Sequence, residues 1–88
     1  MKILWTSRAA SDLVRLHQHL SPVAPLAHAP RRLLDYPRIG EKLEAYEPRE
    51  VRRIIVGDYE LRYEIAGGTI IILRLWHGRE NRSFSSED

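Results

Sequence analysis

Apolar and polar residues alternate strictly from Tyr59 to Ile65. Tyr59, Leu61, Tyr63 and Ile65 interleave with Glu60, Arg62 and Glu64. A period of two marks a strand with one buried face. Gly67-Gly68 follows, and adjacent glycines suit the positive φ angles of a two-residue hairpin loop. Thr69 to Trp76 then reads as a second strand, rich in β-branched and apolar residues. Upstream, Arg52 to Val56 predicts a third strand, stopped by Gly57-Asp58. Val51 to His77 is therefore a three-strand meander. The rest of the chain has to cover it, because a bare hairpin is marginal in water.

The hairpin register follows from the loop. With Gly67-Gly68 at the turn, Ala66 faces Thr69, Ile65 faces Ile70 and Tyr63 faces Ile72. Continued without interruption, Leu61 faces Arg74 and Tyr59 faces Trp76. Opposed residues share a face. One face then carries Tyr59, Leu61, Tyr63, Ile65, Ile70, Ile72 and Trp76, and is the expected main core. Arg74 falls on this apolar face, where it has to snorkel to the edge, pair with a carboxylate or meet a partner. The other face sets Glu60, Arg62 and Glu64 against Ile71, Leu73 and Leu75. The last strand is apolar on both sides, so it is an interior strand or a covered one.

Upstream, Lys2 to Trp5 is a short apolar strand. Thr6 or Ser7 can cap the helix that follows, placed at about Arg8 to Leu20. Ala9, Leu13, Leu16 and Leu20 form its continuous apolar face, and Arg8, Asp12, Arg15 and His19 lie off it. Pro22, Pro25 and Pro30 punctuate the next stretch. Proline is tolerated in the first turn of a helix and costs about 3 kcal/mol inside one. A short second helix is therefore predicted from about Pro30 to Tyr36, with Leu33 and Leu34 turned inward. Glu41 to Pro48 reads as loop or a single turn, with Leu43 and Tyr46 pointing in. The order is strand, helix, short helix, then three strands, in one domain over residues 1–88. That is α+β: a small, mostly antiparallel sheet with a helical pair on one face.

Composition narrows the function classes. With no cysteine there is no disulfide framework, no thiolate metal site and no cysteine nucleophile. No window approaches the ~18 apolar residues of a membrane span. The N-terminus is too often charged for a signal peptide, so a cytoplasmic location is the natural reading. Net charge is only +2, although arginine greatly outnumbers lysine. Arg49, Arg52, Arg53, Arg74, Arg79 and Arg82 cluster with Glu47, Glu50, Glu80 and Glu87 among them. This is a mixed surface with basic spots, not a uniform nucleic-acid stripe. His17, His19 and His28 lack metal-ligand spacing, and no metal or cofactor is expected.

Taken in order, Trp5-Thr6, Ala9 to Leu13 (A-x-x-D-L), Leu33 to Gly40 (L-x-x-Y-P-x-x-G), Arg52 to Ile65 and Ile70 to Arg79 resemble the RelE/ParE superfamily of toxin–antitoxin toxins. The L-R-L-W-H ending places the chain nearer the ParE-like branch. The resemblance implies a toxin of a type II system, neutralised by a cognate antitoxin and able to form a toxin–antitoxin hetero-oligomer. A ParE-like member implies action on DNA gyrase without catalysis. A RelE-like member implies ribosome-dependent mRNA cleavage. A third possibility is a non-toxic, antitoxin-binding remnant, since the region before Pro37 is short against the family's second helix. RelE-like nucleases usually carry arginine after the middle-strand tyrosine, whereas here Glu60 follows Tyr59. A carboxylate there repels a scissile phosphate.

For a ribonuclease the catalytic candidates are His77, Arg79, Arg53 and Arg82. Imidazole titrates near neutrality, and guanidinium forks suit phosphate. The bland alternatives are a strand-end histidine bonded locally and arginines paired with Glu60 and Glu64. Tyr63 is expected simply to find a local partner for its hydroxyl. For antitoxin binding the candidates are Arg62, Ile71, Leu73, Leu75 and Arg74, on a half-apolar face or the adjoining sheet edge. The alternative is that Ile3 and Trp5 of the first strand, or the tail, cover this region internally. Tyr59 and Trp76 on opposite surfaces would count against both the register and the kinship.

Overall fold

The computed structural model describes residues 1–19 and 24–78. The chain runs β1 (Lys2–Trp5), α1 (Ser7–His19), α2 (Ala24–Asp35), β2 (Glu41–Lys42), a 3₁₀ turn (Glu44–Tyr46), β3 (Glu50–Val56), β4 (Tyr59–Ala66) and β5 (Thr69–His77). The strands form one sheet in the order β1-β5-β4-β3-β2. β1 is parallel to β5, and the remaining pairs are antiparallel. β5 is thus an interior strand, as its two apolar faces predict. β1 also occupies the part of its outer edge from Thr69 to Ile72.

The loop glycines take the expected role. Gly67 and Gly68 have φ of 52° and 76°, and Ala66 opposes Thr69 across the turn. Tyr63 opposes Ile72, as the alternation requires. Beyond that point the register shifts. Arg62 opposes Arg74, Leu61 opposes Leu75, Glu60 opposes Trp76 and Tyr59 opposes His77. Leu73 is left with no opposite residue, the geometry of a β-bulge. Every β5 side chain past Leu73 therefore changes face relative to the uninterrupted register.

The bulge corrects three expectations. Arg74 does not oppose Leu61 on the apolar face. Leu75 takes that place and is fully buried in the core, so it belongs to no partner surface. Trp76 leaves the face of Tyr59 and pairs with Glu60 instead. The physical reason is burial: the uninterrupted register would drive a guanidinium into the core in place of a leucine.

Both helices pack on one face of the sheet. The core joins Ala9 and Leu16 of α1 and Leu26, Ala29 and Leu33 of α2 to Tyr59, Leu61, Tyr63, Ile65, Ile70, Ile72 and Leu75. Ile3, Trp5, Leu13, Ile54 and Val56 pack around them. Thr6 caps α1 by accepting the Ala9 N–H at 3.0 Å. Leu20 of the expected apolar face lies outside the described residues.

α2 departs from the sequence expectation. It starts at Ala24, not Pro30, and carries Pro30 inside. Proline removes one helical hydrogen bond. Leu26, Ala29, Pro30 and Leu33 are nevertheless all buried on one face, and that packing outweighs the proline penalty. Leu34, expected inward, is 44 % exposed. Glu41-Lys42, expected as loop or turn, pairs with Arg53 and Arg52 to form the outermost strand. Among the described residues, no helix is long and apolar enough to cross a membrane.

Candidate functional site

The sheet face away from the helices carries a row of guanidinium groups and rings. Alternation on β4 puts Glu60, Arg62 and Glu64 there, and the bulge adds Trp76 from β5. The Arg62 guanidinium lies 4.5 Å from the Trp76 ring and 5.8 Å from that of Tyr46. Arg74 approaches Trp76 at 5.2 Å and Arg49 approaches Tyr46 at 5.7 Å. These are cation–π distances. The 3₁₀ turn is what brings Tyr46 over the sheet, where its hydroxyl accepts from Arg62 Nη1 at 3.0 Å.

Each of these arginines also faces a carboxylate. Arg62 Nη2 donates to Glu60 Oε2 at 2.9 Å. Arg53 Nε donates to Glu41 Oε1 at 2.9 Å, and its Nη1 lies 3.5 Å from Glu60 Oε1. Arg49 grips Glu64 through Nε and Nη2 at 3.2 and 2.8 Å. Glu60 is only 2 % exposed. Nearby, Arg38 and Arg52 converge on Glu50, and their hydrogen bonds hold its carboxyl below the usual carboxylate range, Arg38 contributing most.

Arg74 finds the carboxylate on α1. Its Nε donates to Asp12 Oδ2 at 2.7 Å. The same oxygen accepts the Leu75 backbone N–H at 2.9 Å. Arg15 Nη2 reaches Asp12 Oδ1 at 3.0 Å and the Leu75 carbonyl at 3.3 Å. Thr6 Oγ1 donates toward the Ile72 and Leu73 carbonyls, both at 3.0 Å. β1 pairs no further than Ile72. From there to Leu75, side chains of Thr6, Asp12 and Arg15 take the place of a neighbouring strand and satisfy the β5 edge.

The predicted ribonuclease residues come together only in part. His77 and Arg53 line one cleft of about 320 Å³ with Ile55, Tyr59 and Glu60. His77 packs edge-to-face on Tyr59, with ring centroids 5.2 Å apart. Arg79 and Arg82 lie outside the described residues. Of the predicted partner-binding residues, Arg62 stands on the open face, where Ile71 opposes Glu64; both are half-buried. Leu73 is half-buried at the bulge. Arg74 is engaged with Asp12, and Leu75 is interior. Tyr63, as expected, bonds locally: it donates to the Pro37 carbonyl at 2.7 Å and accepts from Gly40 N–H at 3.1 Å. Burial is the main force pushing its hydroxyl pKa up.

Two residues escaped the sequence reading. Asp12, placed off the apolar face of α1, is only 5 % exposed. Its place in the A-x-x-D-L pattern was the available signal. Tyr46 was expected to point inward but turns a half-buried ring to the arginines instead.

Comparison with known proteins agrees with this fold. Residues 3–82 match the family described as ParE toxin of type II toxin-antitoxin system, parDE. Toxin RelE2 of Caulobacter vibrioides is 31 % identical over 85 residues, covering 86 % of this chain and 93 % of that protein. A chain of the chromosomal ParDE system from P. aeruginosa superposes with a TM-score of 0.70 at 22 % identity, over 88 % of this chain and 95 % of the other. A chain of the RelB-RelE antitoxin-toxin complex from Methanococcus jannaschii gives 0.58 at 21 % identity, over 86 % and 91 %. At such identities the two structures speak for the fold alone. The bulge sets Tyr59 and Trp76 on opposite surfaces, yet the kinship stands, because it rests on a match along nearly the whole chain. The chain belongs to the ParE toxin family of type II toxin–antitoxin systems, within the RelE/ParE superfamily.

Proposed function

We propose that this protein is a growth-arresting toxin that binds DNA gyrase and is neutralised by a cognate antitoxin protein. The observation that carries the reading is charge pairing on the open face. Arg49, Arg53, Arg62 and Arg74 each face a carboxylate within 3.5 Å. A transferring phosphate needs donors that are free to meet its developing charge. Here an mRNA backbone would have to displace Glu41, Glu60, Glu64 or Asp12 first. The match to the ParE family supports the gyrase target, which the ParE-like resemblance implies. The family description, a toxin of a type II toxin-antitoxin system, supports an antitoxin partner and a toxin–antitoxin hetero-oligomer. Gyrase and ribosomes being cytoplasmic, this reading places the protein in the cytoplasm.

The second reading is a ribosome-dependent mRNA endonuclease. Two observations favour it: the Toxin RelE2 relative, and the shared cleft of His77 and Arg53. Induced expression in a bacterium separates the two. Gyrase binding gives arrest with filamentous cells and DNA damage, relieved by the antitoxin, and His77→Ala with Arg53→Ala leaves the arrest largely intact. Cuts in mRNA at fixed codon positions, abolished by His77→Ala, would overturn the gyrase reading. An absence of arrest would leave a non-toxic antitoxin-binding remnant.

A further inference from the structure

Glu60 sits at the meeting point of two guanidinium groups. Its Oε2 accepts from Arg62 Nη2 at 2.9 Å, and its Oε1 lies 3.5 Å from Arg53 Nη1. It is almost fully buried on the sheet face away from the helices. Arg62 has little freedom to turn elsewhere. Its guanidinium lies 4.5 Å from the Trp76 ring and is bonded to the Tyr46 hydroxyl. Its Nε is buried and has no hydrogen-bond partner among the described residues. The cleft beside Glu60, about 320 Å³ and lined by Arg53, Tyr59 and His77, opens to solvent next to this pair.

A carboxylate and a phosphate offer guanidinium forks the same acceptors: a pair of adjacent oxygens carrying negative charge. Two converging arginines, one held against Trp76 and by the Tyr46 hydroxyl and keeping a spare donor, are the parts of an oxyanion site. We infer that Arg53 and Arg62 form such a site and that Glu60 fills it from within the chain. Glu60 is then a specificity-determining residue: it satisfies the two cations and keeps phosphate groups off this face. A phosphate entering the cleft meets a fixed negative charge within a few ångströms, in surroundings that screen it poorly. Removing that charge takes from Arg62 its Glu60 bond and leaves Arg53 with Glu41, and makes the cleft more attractive to an oxyanion. This goes beyond the gyrase reading and does not depend on it, because it concerns an affinity of the isolated chain.

The test is calorimetric titration of the purified protein with inorganic phosphate, at ionic strength held constant with chloride. Glu60→Ser removes the carboxylate and vacates room for the ion. Phosphate should bind it at least about tenfold more tightly than the unaltered chain, as expected when one nearby like charge is removed. Adding Arg62→Met to Glu60→Ser should abolish the gain. Equal affinity of Glu60→Ser and the unaltered chain overturns the inference, as does a gain that survives Arg62→Met. Should Glu60→Ser fail to fold, Glu60→Gln keeps the shape and removes the charge. A gain of a few-fold or more supports the inference there, and no gain overturns it. Failure here leaves gyrase binding untouched, and a gyrase-negative result leaves this site untouched.

Discussion

Gly40 shows how little slack the core has at a single residue. A Cβ there would lie 2.7 Å from both the Arg53 carbonyl oxygen and Tyr63 Oη. Gly40→Ala therefore has to push β3 or the Tyr63 ring aside, at about 1–3 kcal/mol. Tyr63→Phe leaves the Gly40 N–H and the Pro37 carbonyl without their partner and costs about 1–3 kcal/mol. The two changes disturb the same contact, so the double variant loses less than the sum. Urea unfolding with an unchanged m-value checks all three. Glu50 sets a pH signature. Its folded-state pKa lies below the ordinary 4.5 because Arg38, then Arg52, bond to the ionised form. Such a group contributes stability that is fully present above the unfolded pKa. That stability is lost as pH falls through the folded value. Glu50→Gln should lose that stability at pH 7 and flatten the stability curve below about pH 5, where the two proteins converge as the carboxyl is protonated.

At the scale of elements, α1 does two jobs: it covers one end of the core and closes an open strand edge. Asp12→Ala removes the acceptor for the Leu75 N–H and the carboxylate shared by Arg74 and Arg15, an expected loss of about 3–5 kcal/mol. Asp12→Asn keeps an acceptor and should lose less. Amide exchange at Leu75 reports this directly: it should accelerate sharply in Asp12→Ala, while Ile70, whose edge is held by β1, changes only with global stability. The contrast also shows what was legible. α1 could be read from the spacing of Ala9, Leu13 and Leu16, and the hairpin from Gly67-Gly68, because one local rule governs each. The bulge could not. The run Leu73-Arg74-Leu75-Trp76 fits either phase, and no glycine marks Leu73 as the extra residue. The role of Asp12 was hidden for the same reason, since it depends on where β5 puts Leu75. Pro30 misled in the other direction: its local penalty is real, but Leu26, Ala29 and Leu33 bury together and decide the outcome.

For the whole molecule, kinship was more legible than mechanism. The ordered set of motifs spans most of the chain, so a local register error left it standing. Which arginines are paired is a three-dimensional property. Arg62 beside Glu60 was readable from alternation on one strand face. Arg74 with Asp12, 62 residues apart, was not. A partner that binds only the folded toxin should raise its melting temperature as the partner's concentration increases. Titrating the cognate antitoxin during thermal melts checks that, with no shift arguing against a neutralising complex.

One connection in the sheet reaches further. Among the described strands, β1 is made first and is held by β5, the last of them to be made. A nascent chain halted before Thr69 leaves β1 with no neighbour and α1 with no sheet beneath its apolar side. Prematurely terminated copies are therefore material for proteases, and binding of any partner waits on a polypeptide translated through Thr69–His77.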